Sequence, residues 1–444
     1  MTTFEELKQV MQNAGIVGAG GAGFPSYAKL AQGADTLVIN GAECEPMLYT
    51  DYSLMSAYLP LVVEGASIVM QTVGMKRCLI GIKKHNCIKL GLSEGQELAP
   101  GITVKQLPNV YPMGDEIALI YETTGRLVQP GQLPITQGVI VYNAETMFNI
   151  RNAVVCGTVL TEKHLTINGD IDNPVVVKVP IGMRVSDLFN QLGVRVPEND
   201  AVLDGGPSMG RIVNPNTHIV TKTTKSLIVI PENTPAVIVK RRRPEAHLAI
   251  ASSVCCQCTR CTDLCPRFNL GYPLEPHKHV RVAASALGED QPDLIKTASL
   301  CSSSGVCEIA ACCQYISPRA VIAHHKAILA KDHIRFSAPE GKVYTIAEDR
   351  PLTRVHSVKW MESLGIRKFD KSPTYQPDLM STRHVEIRMN PHIGAPSVPC
   401  VKVGDHVTKG QLVANPGSGL SIPQHASIDG QVIFVDETKI IIEN

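Results

Sequence analysis

The sequence lacks an excess of charge of either sign, because 42 Lys and Arg residues are balanced by 41 Asp and Glu residues and the formal net charge is +1. A near-neutral chain has no overall field that favours nucleic acid or a membrane surface. Long uninterrupted apolar runs are also absent, since Glu64 interrupts the stretch LPLVVEGASIVM, and the N-terminus has no basic region followed by an apolar one. We therefore expect neither a membrane-spanning helix nor a secretory signal.

Cysteine, by contrast, is plentiful, with 14 residues in a chain of 444 that is 44% hydrophobic. A chain of this length can bury several cores, and length alone suggests about three domains. Without an export signal, clustered thiols are more often metal ligands than disulfides. Five cysteines are scattered without ligand spacing and are predicted to be buried structural thiols: Cys44, Cys78, Cys87, Cys156 and Cys400.

The segment VCCQCTRCTDLCP contains the spacing C-x2-C-x2-C-x3-C-P, formed by Cys255, Cys258, Cys261 and Cys265, with Cys256 as an additional thiol. This is the bacterial ferredoxin run, in which three thiolates hold one [4Fe–4S] cluster and the fourth, followed by proline, turns toward a second cluster. A zinc knuckle is the alternative, but it usually needs a second, distant pair of ligands. The run therefore predicts a partner run downstream.

The downstream segment LCSSSGVCEIAACCQYISPR supplies Cys301, Cys307, Cys312 and Cys313, but it has Ser304 where a two-cluster ferredoxin has its second ligand. Cluster one is predicted to take Cys255, Cys258, Cys261 and Cys312. Cluster two is predicted to take Cys301, Cys307 and Cys265, with Ser304 or Cys313 as the alternatives for the fourth ligand. A cluster with three thiolates, or with one hard serine oxygen, is expected to be more labile, with [3Fe–4S] as an alternative, and shifted in potential.

The loop GIVGAGGAGFPSYAKL contains a G-x-G-x-x-G spacing at Gly18, Gly20 and Gly23. In a dinucleotide-binding unit this loop follows a strand and opens a helix. Here the order differs, because Thr3 and Glu6 form a capping box for a preceding helix, and the apolar strand TLVIN comes after the loop. The usual dinucleotide fingerprint is therefore disfavoured. Two alternatives remain. The loop is either a phosphate cradle of bare amides that leads into a second helical stretch, SYAKLAQ, or a tight turn without a ligand.

Three further motifs follow in chain order: NGAECEP directly after the strand TLVIN, then YPMGDE, then VYNAET. Two of them are strands that end in polar residues, and such ends line the crevice where α/β sheets bind ligands. Together with the glycine loop, the motifs G-x-G-G-A-G-F-P, N-x-x-E-x-E-P, Y-x-x-G-D-E and N-x-E-T resemble those of the FMN- and NADH-binding subunit of respiratory complex I and of its relative in the Rnf complex, RnfC. Within that superfamily the chain is similar from end to end to the cobalamin reductases of propanediol-utilisation microcompartments.

The resemblance implies FMN and an NADH site. It places the FMN phosphate on the amides of Gly18, Gly20, Gly21 and Gly23, the ring near Asn40, Glu43 and Glu45, and the opposite side of the cofactor at Asn143, Glu145 and Thr146. The residues that it implies around NADH are Phe24, by stacking, with Tyr111, Gly114, Asp115 and Glu116. Carboxylates accept hydrogen bonds from ribose hydroxyls and repel an additional phosphate, which favours NADH over NADPH.

The chain is expected to form a multidomain α/β protein of four parts. These are a Rossmann-like FMN/NADH-binding α/β domain at 1–153, a β-grasp soluble-ligand-binding domain at 154–235, a ferredoxin-like helical domain with two iron–sulfur clusters at 244–332, and a barrel-sandwich hybrid at 335–444. A structural spacer is the alternative for the second part. The charge run KRRR before the third part is expected to be a solvated linker, or else a contact for an acidic partner or a corrinoid phosphate.

NADH delivers two electrons as hydride and iron–sulfur clusters accept one at a time, so a flavin between them is chemically sensible, and no amino-acid base or nucleophile is required. The resemblance implies reduction of cob(III)alamin to cob(II)alamin and cob(I)alamin, for coenzyme B12 recycling in propanediol degradation. It also implies a cytoplasmic location in a microcompartment lumen and, as partners, a corrinoid-presenting adenosyltransferase and shell proteins. We expect no nucleic-acid partner and no membrane span, and an oligomer is compatible with the sequence.

Two other functions remain open at this stage. An Rnf-type electron-transfer protein would send the electrons to ferredoxin or a membrane partner, although its sandwich domain usually leads the chain rather than ending it. An electron-conducting scaffold would have no NADH site of its own. The chain has no D-x-H-x-x-G corrinoid signature, so cobalamin is expected to bind transiently or to be presented by a partner.

Overall fold

The computed structural model describes residues 2–285 and 291–444. Its first helix, α1, spans Phe4–Asn13 and begins at a capping box, in which the Thr3 hydroxyl accepts a hydrogen bond from the Glu6 amide and the Glu6 carboxylate accepts one from the Thr3 amide. Leu7 and Met11 of this helix are buried. A helix therefore precedes the glycine loop, as predicted. The second helical stretch expected after the loop is only a single 3-10 turn, Ser26–Lys29.

The N-terminal unit contains one sheet beyond the glycine loop. Its strands are β1 (Thr36–Gly41), β2 (Arg77–Lys83), β3 (Glu97–Ala99), β4 (Ile102–Leu107) and β6 (Val139–Asn143), while the short β5 (Val110–Tyr111) lies outside it. The order is β3-β4-β2-β1-β6, and every pair is parallel except β3 with β4. After β1 the chain adds β2, β3 and β4 on one side of β1, and it then crosses to the other side of β1 to add β6. The carboxyl ends of β1 and β6 therefore form a topological switch point, where α/β sheets bind ligands.

Four helices pack on this sheet: α2 (Thr50–Val73), α3 (Lys84–Lys89), α4 (Glu116–Thr124) and α5 (Ala144–Cys156). Contrary to the expectation from Glu64, α2 is long and apolar enough to cross a membrane by length and composition, but half of its most apolar window is buried inside the protein. It is kinked at Tyr58, near Pro60. A Cβ at Gly65 would lie 2.3 Å from the Met147 carbonyl oxygen, so α2 and α5 approach closely. Helix α2 is a core helix of the N-terminal unit.

The central unit is a mixed sheet with one helix, α6 (Val185–Leu192), packed against it. Its strands are β7 (Glu162–Gly169), β8 (Val175–Pro180), β9 (Asp200–Asp204), β10 (Arg211–Val213), β11 (Ser226–Pro231) and β13 (Thr374–Leu379). They lie in the order β10-β9-β11-β7-β8-β13. Strand β13 comes from the part of the chain that the sequence assigns to the last domain, and it pairs in parallel with β8.

The helical unit carries the cysteine runs on short helices. These are α7 (Pro235–Arg241), α8 (Pro244–Val254), α9 (Arg260–Asp263), α10 (Pro266–Asn269), α11 (Pro276–Ala284), α12 (Pro292–Lys296), α13 (Val306–Ile309) and α14 (Pro318–Lys331). Leu270, Leu300 and Ile322 of this unit share one apolar core with Leu119 and Val141 of the N-terminal unit. Burial of each such side chain contributes about 1.5–3 kcal/mol, so the two units are held together by a common core.

A connecting segment then returns to the earlier units. It contains α15 (Arg350–Thr353), β12 (Val355–His356) and α16 (Ser357–Ser363) before β13. Strand β12 pairs with β5. Trp360, the single tryptophan of the chain, is fully buried and its ring stacks on Tyr111 with the centroids 4.8 Å apart. Its indole nitrogen donates to the Ser208 hydroxyl at 2.9 Å. The segment thus joins the N-terminal and central units.

The C-terminal unit consists of two small antiparallel sheets, β14-β20-β19-β16 and β15-β17-β18. The strands are β14 (His384–Arg388), β15 (Val398–Pro399), β16 (His406–Val407), β17 (Leu412–Asn415), β18 (Gln424–His425), β19 (Gly430–Val435) and β20 (Lys439–Glu443). Its strands therefore begin at His384, well after residue 335, where the sequence suggests the start of the last domain.

Candidate cofactor sites

The four motifs that the sequence singles out meet at the switch point of the N-terminal sheet. The register of β1 and β6 sets Asn40 directly beside Asn143. A Cβ at Gly20 would lie 2.8 Å from the Asn143 Oδ1 atom, so the glycine loop rests on the end of β6. The Asn40 Nδ2 atom donates to the carbonyl oxygen of Gly114 at 3.0 Å. The structure therefore brings together residues that are more than 120 positions apart in the chain.

The glycine loop presents backbone amides toward this edge. Gly21 and Gly23 have φ angles of +97° and +69°, which L side chains rarely adopt. The Gly18 amide donates to the carbonyl oxygen of Phe24 at 2.8 Å and is therefore not free for a phosphate. Within residues 2–285 and 291–444, the amides of Gly20, Gly21 and Gly23 have no protein acceptor. Three of the four predicted amides thus fit an anion, and the loop fits the phosphate end of a mononucleotide.

Glu43 is the buried carboxylate at the end of β1. Its Oε1 atom accepts a hydrogen bond from the Tyr52 amide at 3.0 Å, whereas its Oε2 atom is buried without a partner in the described part of the chain. Burial, together with the nearby charge of Asp51, raises the pKa of Glu43 to about 7. Asp51 is itself paired with Lys225 of the central unit, a residue that sequence analysis did not single out. An unpartnered buried carboxylate oxygen suits a ligand that can exchange a hydrogen bond with it.

The resemblance places Glu45 near the flavin ring and Glu145 on the opposite side of the cofactor. In the structure, the oxygens of both carboxylates are occupied by the central unit. Glu45 accepts from the amides of Ser208 and Met209, at 2.9 and 3.1 Å. Glu145 forms an ion pair with Lys163 at 2.5 Å. Burial alone would raise the pKa of Glu145, but the charges and hydrogen bonds of Lys163 and His164 outweigh it and hold the pKa at about 2. Both carboxylates therefore join the two units.

Thr146, adjacent to Glu145, has a different contact. Its hydroxyl accepts a hydrogen bond from the Ala19 amide at 3.1 Å, and its side chain is fully buried. This bond ties the start of α5 to the glycine loop. The polar residues of the motif VYNAET thus divide between the loop, through Asn143 and Thr146, and the central unit, through Glu145.

The residues predicted around NADH also divide between two sets of contacts. Glu116 pairs with Lys29 at 2.7 Å and is 38% exposed, so its carboxylate reaches solvent. Asp115 caps α4 through its Oδ1 atom, and its Oδ2 atom accepts from Arg267 at 2.8 Å. Arg267 lies two residues after Cys265. Its contact with Asp115 could not be predicted from the sequence, because it depends on how the two units pack. Asp115 therefore faces the cysteine runs.

Tyr111, Gly114 and Phe24 complete that group. The Tyr111 hydroxyl donates to the carbonyl oxygen of Ser304 at 2.7 Å and is buried. A Cβ at Gly114 would lie 2.6 Å from the Cβ atom of Cys44, so this position requires the absence of a side chain. Phe24 is half-buried at the end of the glycine loop. Of the five predicted residues, Tyr111 is buried and the other four are partly exposed.

The thiols predicted for cluster one come together at one end of the helical unit. Burial raises the pKa of Cys261 to about 12, and the nearby thiols of Cys312, Cys255 and Cys258 add to this rise. Cys255 and Cys312 pack on the apolar cluster formed by α8, α11 and α14. Cys255, Cys261 and Cys312 are partly buried, whereas Cys258 is exposed. Neighbouring thiols are deprotonated outright when they coordinate a metal. The four predicted ligands therefore lie near one another, although among the described residues the three sulfurs within 4.8 Å of one another belong to Cys256, Cys258 and Cys313.

The thiols predicted for cluster two border a separate small cavity of about 10 Å³, whose walls include Cys265, Cys301, Cys307 and Ser304. The Ser303 amide donates to the Cys301 sulfur at 3.3 Å. Cys265 and Cys307 are buried, and burial raises the pKa of Cys265 to about 12. Of the two alternatives for a fourth ligand, Ser304 borders this cavity, whereas the sulfur of Cys313 lies 3.9 Å from that of Cys256 at the protein surface.

A larger cleft, of about 810 Å³, connects the two groups of residues. Its lining includes Glu116 from the predicted NADH site, Cys301 from the predicted cluster-two set, and Arg267. The sheet edge and the second group of thiols are thus neighbours.

The charge run KRRR is not a solvated linker. The Lys240 ammonium donates to the Ser208 carbonyl oxygen at 2.8 Å, and burial lowers the pKa of this lysine to about 8. Arg241 pairs with Glu232, and Arg242 donates to the Tyr315 carbonyl oxygen at 2.9 Å. The run bridges the central and helical units. Among the scattered cysteines, Cys78 and Cys87 are buried as predicted, but Cys156 and Cys400 are exposed and the prediction was wrong for these two.

Comparisons with known proteins match three parts of the chain to family models. Residues 11–152 match the Nuo51 FMN-binding domain, residues 254–317 match a 4Fe-4S dicluster domain, and residues 373–444 match the RnfC barrel sandwich hybrid domain. The chain is 36% identical to the cobalamin reductase PduS of Citrobacter freundii, with 99% of this chain and 96% of that protein covered. Its identity to PduS of Salmonella typhimurium is also 36%, with the same coverage.

More distant similarities cover less of the chain. A component of the Na(+)-translocating ferredoxin:NAD(+) oxidoreductase complex of Acetobacterium woodii is 34% identical over 59% of this chain and 58% of that protein. Among solved structures, an NAD+-reducing [NiFe]-hydrogenase in the H2-reduced state is similar with a TM-score of 0.44 and 17% identity, over 74% of this chain and 61% of that chain. This structural similarity is too low to carry a functional argument.

Proposed function

The chain belongs to the cobalamin reductase family, and on this premise we propose that it is an NADH-dependent oxidoreductase that passes single electrons from FMN through iron–sulfur clusters to cobalamin. The reaction takes cob(III)alamin to cob(II)alamin and on to cob(I)alamin, and it recycles coenzyme B12 for propanediol degradation. NADH delivers its two electrons together, whereas each cluster accepts one. A flavin site between the NADH site and the clusters is therefore chemically sensible.

The observation that carries this function is identity along the whole chain. The PduS relatives match 99% of the chain, including the central unit and both cysteine runs, and 96% of their own length is covered. The relative from the Na(+)-translocating complex matches 59% of the chain and is covered over 58% of its length. A shared order of units from end to end favours the reductase over a component of a membrane complex.

The N-terminal unit holds FMN, which when bound converts an electron pair from hydride into single electrons. The free amides of Gly20, Gly21 and Gly23 hold its phosphate, because convergent backbone amides are suited to anions. Asn40 and Asn143 stand side by side at the sheet edge and orient the remainder of the cofactor. Glu43, with its pKa near 7, is the buried group that can hold or release a proton at its Oε2 atom.

Two contacts set the position of the sheet edge relative to the second group of thiols. The Asp115–Arg267 ion pair joins α4 to the residue that follows Cys265-Pro266, and the Tyr111 hydroxyl joins β5 to Ser304. Both contacts are buried or nearly so, and the units share an apolar core. We assign Tyr111, Asp115 and Arg267 as positioning residues, because they hold the distance over which electrons pass.

Ser304 is the fourth residue around cluster two in this proposal. A serine oxygen is a harder ligand than a thiolate, so the cluster is more labile than cluster one. Ser304→Cys should raise the iron retained after anaerobic gel filtration by roughly one ion per chain if a [3Fe–4S] centre becomes [4Fe–4S]. Ser303→Cys, which adds a thiol to the same loop at a residue that does not line the cavity, is the matched control and should leave iron content unchanged. Equal iron content in Ser304→Cys and wild type contradicts the assignment.

The central unit, with one helix on a mixed sheet, is proposed to be a β-grasp module that receives cobalamin or a corrinoid-presenting adenosyltransferase. Its contacts with Glu45, Asp51 and Glu145 bring it against the edge of the N-terminal sheet, where FMN is proposed to bind. A location in the lumen of a bacterial microcompartment, with shell proteins as partners, is part of the same proposal and follows from the kinship with PduS.

The test of this function is anaerobic. Protein reconstituted with FMN, iron and sulfide is given NADH, and the reduction of cob(III)alamin is followed by its visible spectrum beside the reduction of ferredoxin. We expect cob(III)alamin to be reduced and the flavin and cluster absorbance to bleach with NADH alone. Rapid reduction of ferredoxin with the corrinoid unchanged would favour the Rnf-type function. Absence of bleaching by NADH, with bleaching by dithionite, would favour an electron-conducting scaffold.

A further inference from the structure

Two cysteines that the cluster sets leave unused lie together on the surface of the helical unit. The sulfurs of Cys256 and Cys313 are 3.9 Å apart, although the residues are 57 positions apart in the chain. Both side chains are exposed. Cys258 is also exposed, and the three sulfurs lie within 4.8 Å of one another.

Each member of this pair is the chain neighbour of a predicted cluster-one ligand. Cys255 and Cys312 pack inward on the apolar cluster of α8, α11 and α14, while Cys256 and Cys313 are exposed to solvent. In each of the two Cys-Cys dipeptides, one thiol therefore faces inward and the other faces solvent. We call Cys255 and Cys312, which are suited to binding metal, the inner pair, and Cys256 and Cys313 the outer pair. Exposed thiols within reach of each other are the arrangement from which a disulfide forms, because a small rotation about the side-chain bonds brings the sulfurs into bonding distance.

We propose that Cys256 and Cys313 form a thiol–disulfide exchange site whose substrates are low-molecular-weight disulfides. The Cys256 sulfur attacks such a disulfide, forms a mixed disulfide with one half and releases the other half as a thiol. The Cys313 sulfur then attacks the Cys256 sulfur and releases the second half. Two protein thiols lose two protons and two electrons, and one small disulfide becomes two thiols.

The bond would connect the two segments that supply the ligands of cluster one. One end lies between Cys255 and Cys258, and the other directly follows Cys312. Closing it ties these segments together independently of the metal. Oxidising conditions, under which iron–sulfur clusters are lost, would thus produce a cross-link that retains the ligands near each other.

The first experiment identifies the bond. Anaerobically reconstituted holoprotein is treated with oxidised glutathione, alkylated, digested without reductant and mapped by mass spectrometry. We expect one cross-link, Cys256 to Cys313, with iron content unchanged. Cys313→Ser should abolish the cross-link and leave Cys256 as a glutathione adduct. Cys156→Ser and Cys400→Ser, which remove exposed cysteines elsewhere, are the matched controls and should leave the cross-link intact.

Three results would overturn the proposal. The first is a cross-link that contains Cys255, Cys258 or Cys312, because the outer pair would then not be the exchange site. The second is loss of iron from the Cys256→Ser/Cys313→Ser double variant, because these residues would then be cluster ligands. The third is glutathione on Cys156 and Cys400 with no reaction at the pair.

The second experiment measures the consequence. Cross-linked and uncross-linked holoprotein are exposed to air, and the loss of cluster absorbance is followed with time. The cross-linked protein should lose its clusters more slowly, by about threefold, because the closed loop limits separation of the ligand segments. The double variant treated with oxidised glutathione should lose them at the uncross-linked rate. Equal rates for cross-linked and uncross-linked wild type would contradict this role of the bond.

Discussion

Glu43 and Glu145 stand at the ends of neighbouring strands, are both buried, and differ in almost every electrostatic respect. Glu145 has a lysine at 2.5 Å and a pKa near 2, whereas Glu43 has one oxygen without a partner and a pKa near 7. The difference arises from what packs above each residue: Lys163 on β7 above Glu145, and Asp51 beside Glu43. Glu145 links two units of the structure, whereas Glu43 has an oxygen that is free to exchange a proton or a hydrogen bond with a ligand.

The largest expected effect comes from removing the charge partner of Glu145. Lys163→Met keeps the length of the side chain but leaves Glu145 buried without its charge partner. Removal of one member of a buried ion pair costs about 3–5 kcal/mol. We expect a loss of this size in the free energy of unfolding, read from urea denaturation at pH 7. The double variant Lys163→Met/Glu145→Gln is the control and should recover most of the loss; no recovery would show that the two residues act independently.

The second effect gives the two carboxylates opposite dependences on pH. Glu145 has a lowered pKa in the folded state, so its contribution is complete above its ordinary pKa of about 4.5 and is lost as pH falls toward 2, by about 3 kcal/mol. Urea denaturation of wild type and Glu145→Gln between pH 2 and 6 should therefore converge at the acid end. Parallel curves over this range would mean that Glu145 has no lowered pKa.

The third effect concerns Glu43, whose folded-state pKa is raised. The folded chain holds the proton more tightly than the unfolded chain, so stability falls as pH rises from about 4.5 to about 7 and is constant above that, a loss of at most about 3 kcal/mol. Glu43→Gln should remove this slope and be more stable than wild type at pH 8 in flavin-free protein. Asp35→Asn, at a carboxylate with a lowered pKa on the same unit, should not be stabilised at pH 8. A Glu43→Gln profile that keeps the slope would exclude Glu43 as its origin.

The smallest expected effect concerns Thr146, which lies next to Glu145 but contacts the glycine loop instead of the central unit. Thr146→Val removes the acceptor for the Ala19 amide and keeps the shape of the side chain. A single neutral hydrogen bond contributes about 1 kcal/mol. We expect FMN to bind about fivefold more weakly, measured by the quenching of flavin fluorescence, with little change in the urea midpoint. Unchanged FMN affinity would mean that this bond does not shape the loop.

The candidate site could be found in part from local sequence because each of its motifs is continuous. The capping box at Thr3, the strand that begins at Thr36 and the strand that leads into the motif VYNAET are each signalled by a few consecutive residues, and the structure has them where they were expected. The spacing of Cys255, Cys258 and Cys261 is likewise a local property, because one loop must surround one cluster face. These features depend on residues a few positions apart.

The cysteine spacing by itself determined the iron–sulfur class and the candidate thiols, and the resemblance of four short motifs to a known superfamily implied FMN and the order of the units. Only the tertiary structure decided which carboxylate is left unpaired, that Gly18 is unavailable to a phosphate, that residues 374–379 join the central sheet, and that Cys313 lies beside Cys256. The physical reason is that pairing energies depend on which groups meet across unit boundaries. Lys225, Ser208 and Arg267 lie more than 150 positions along the chain from the residues they contact, and no local pattern encodes those contacts.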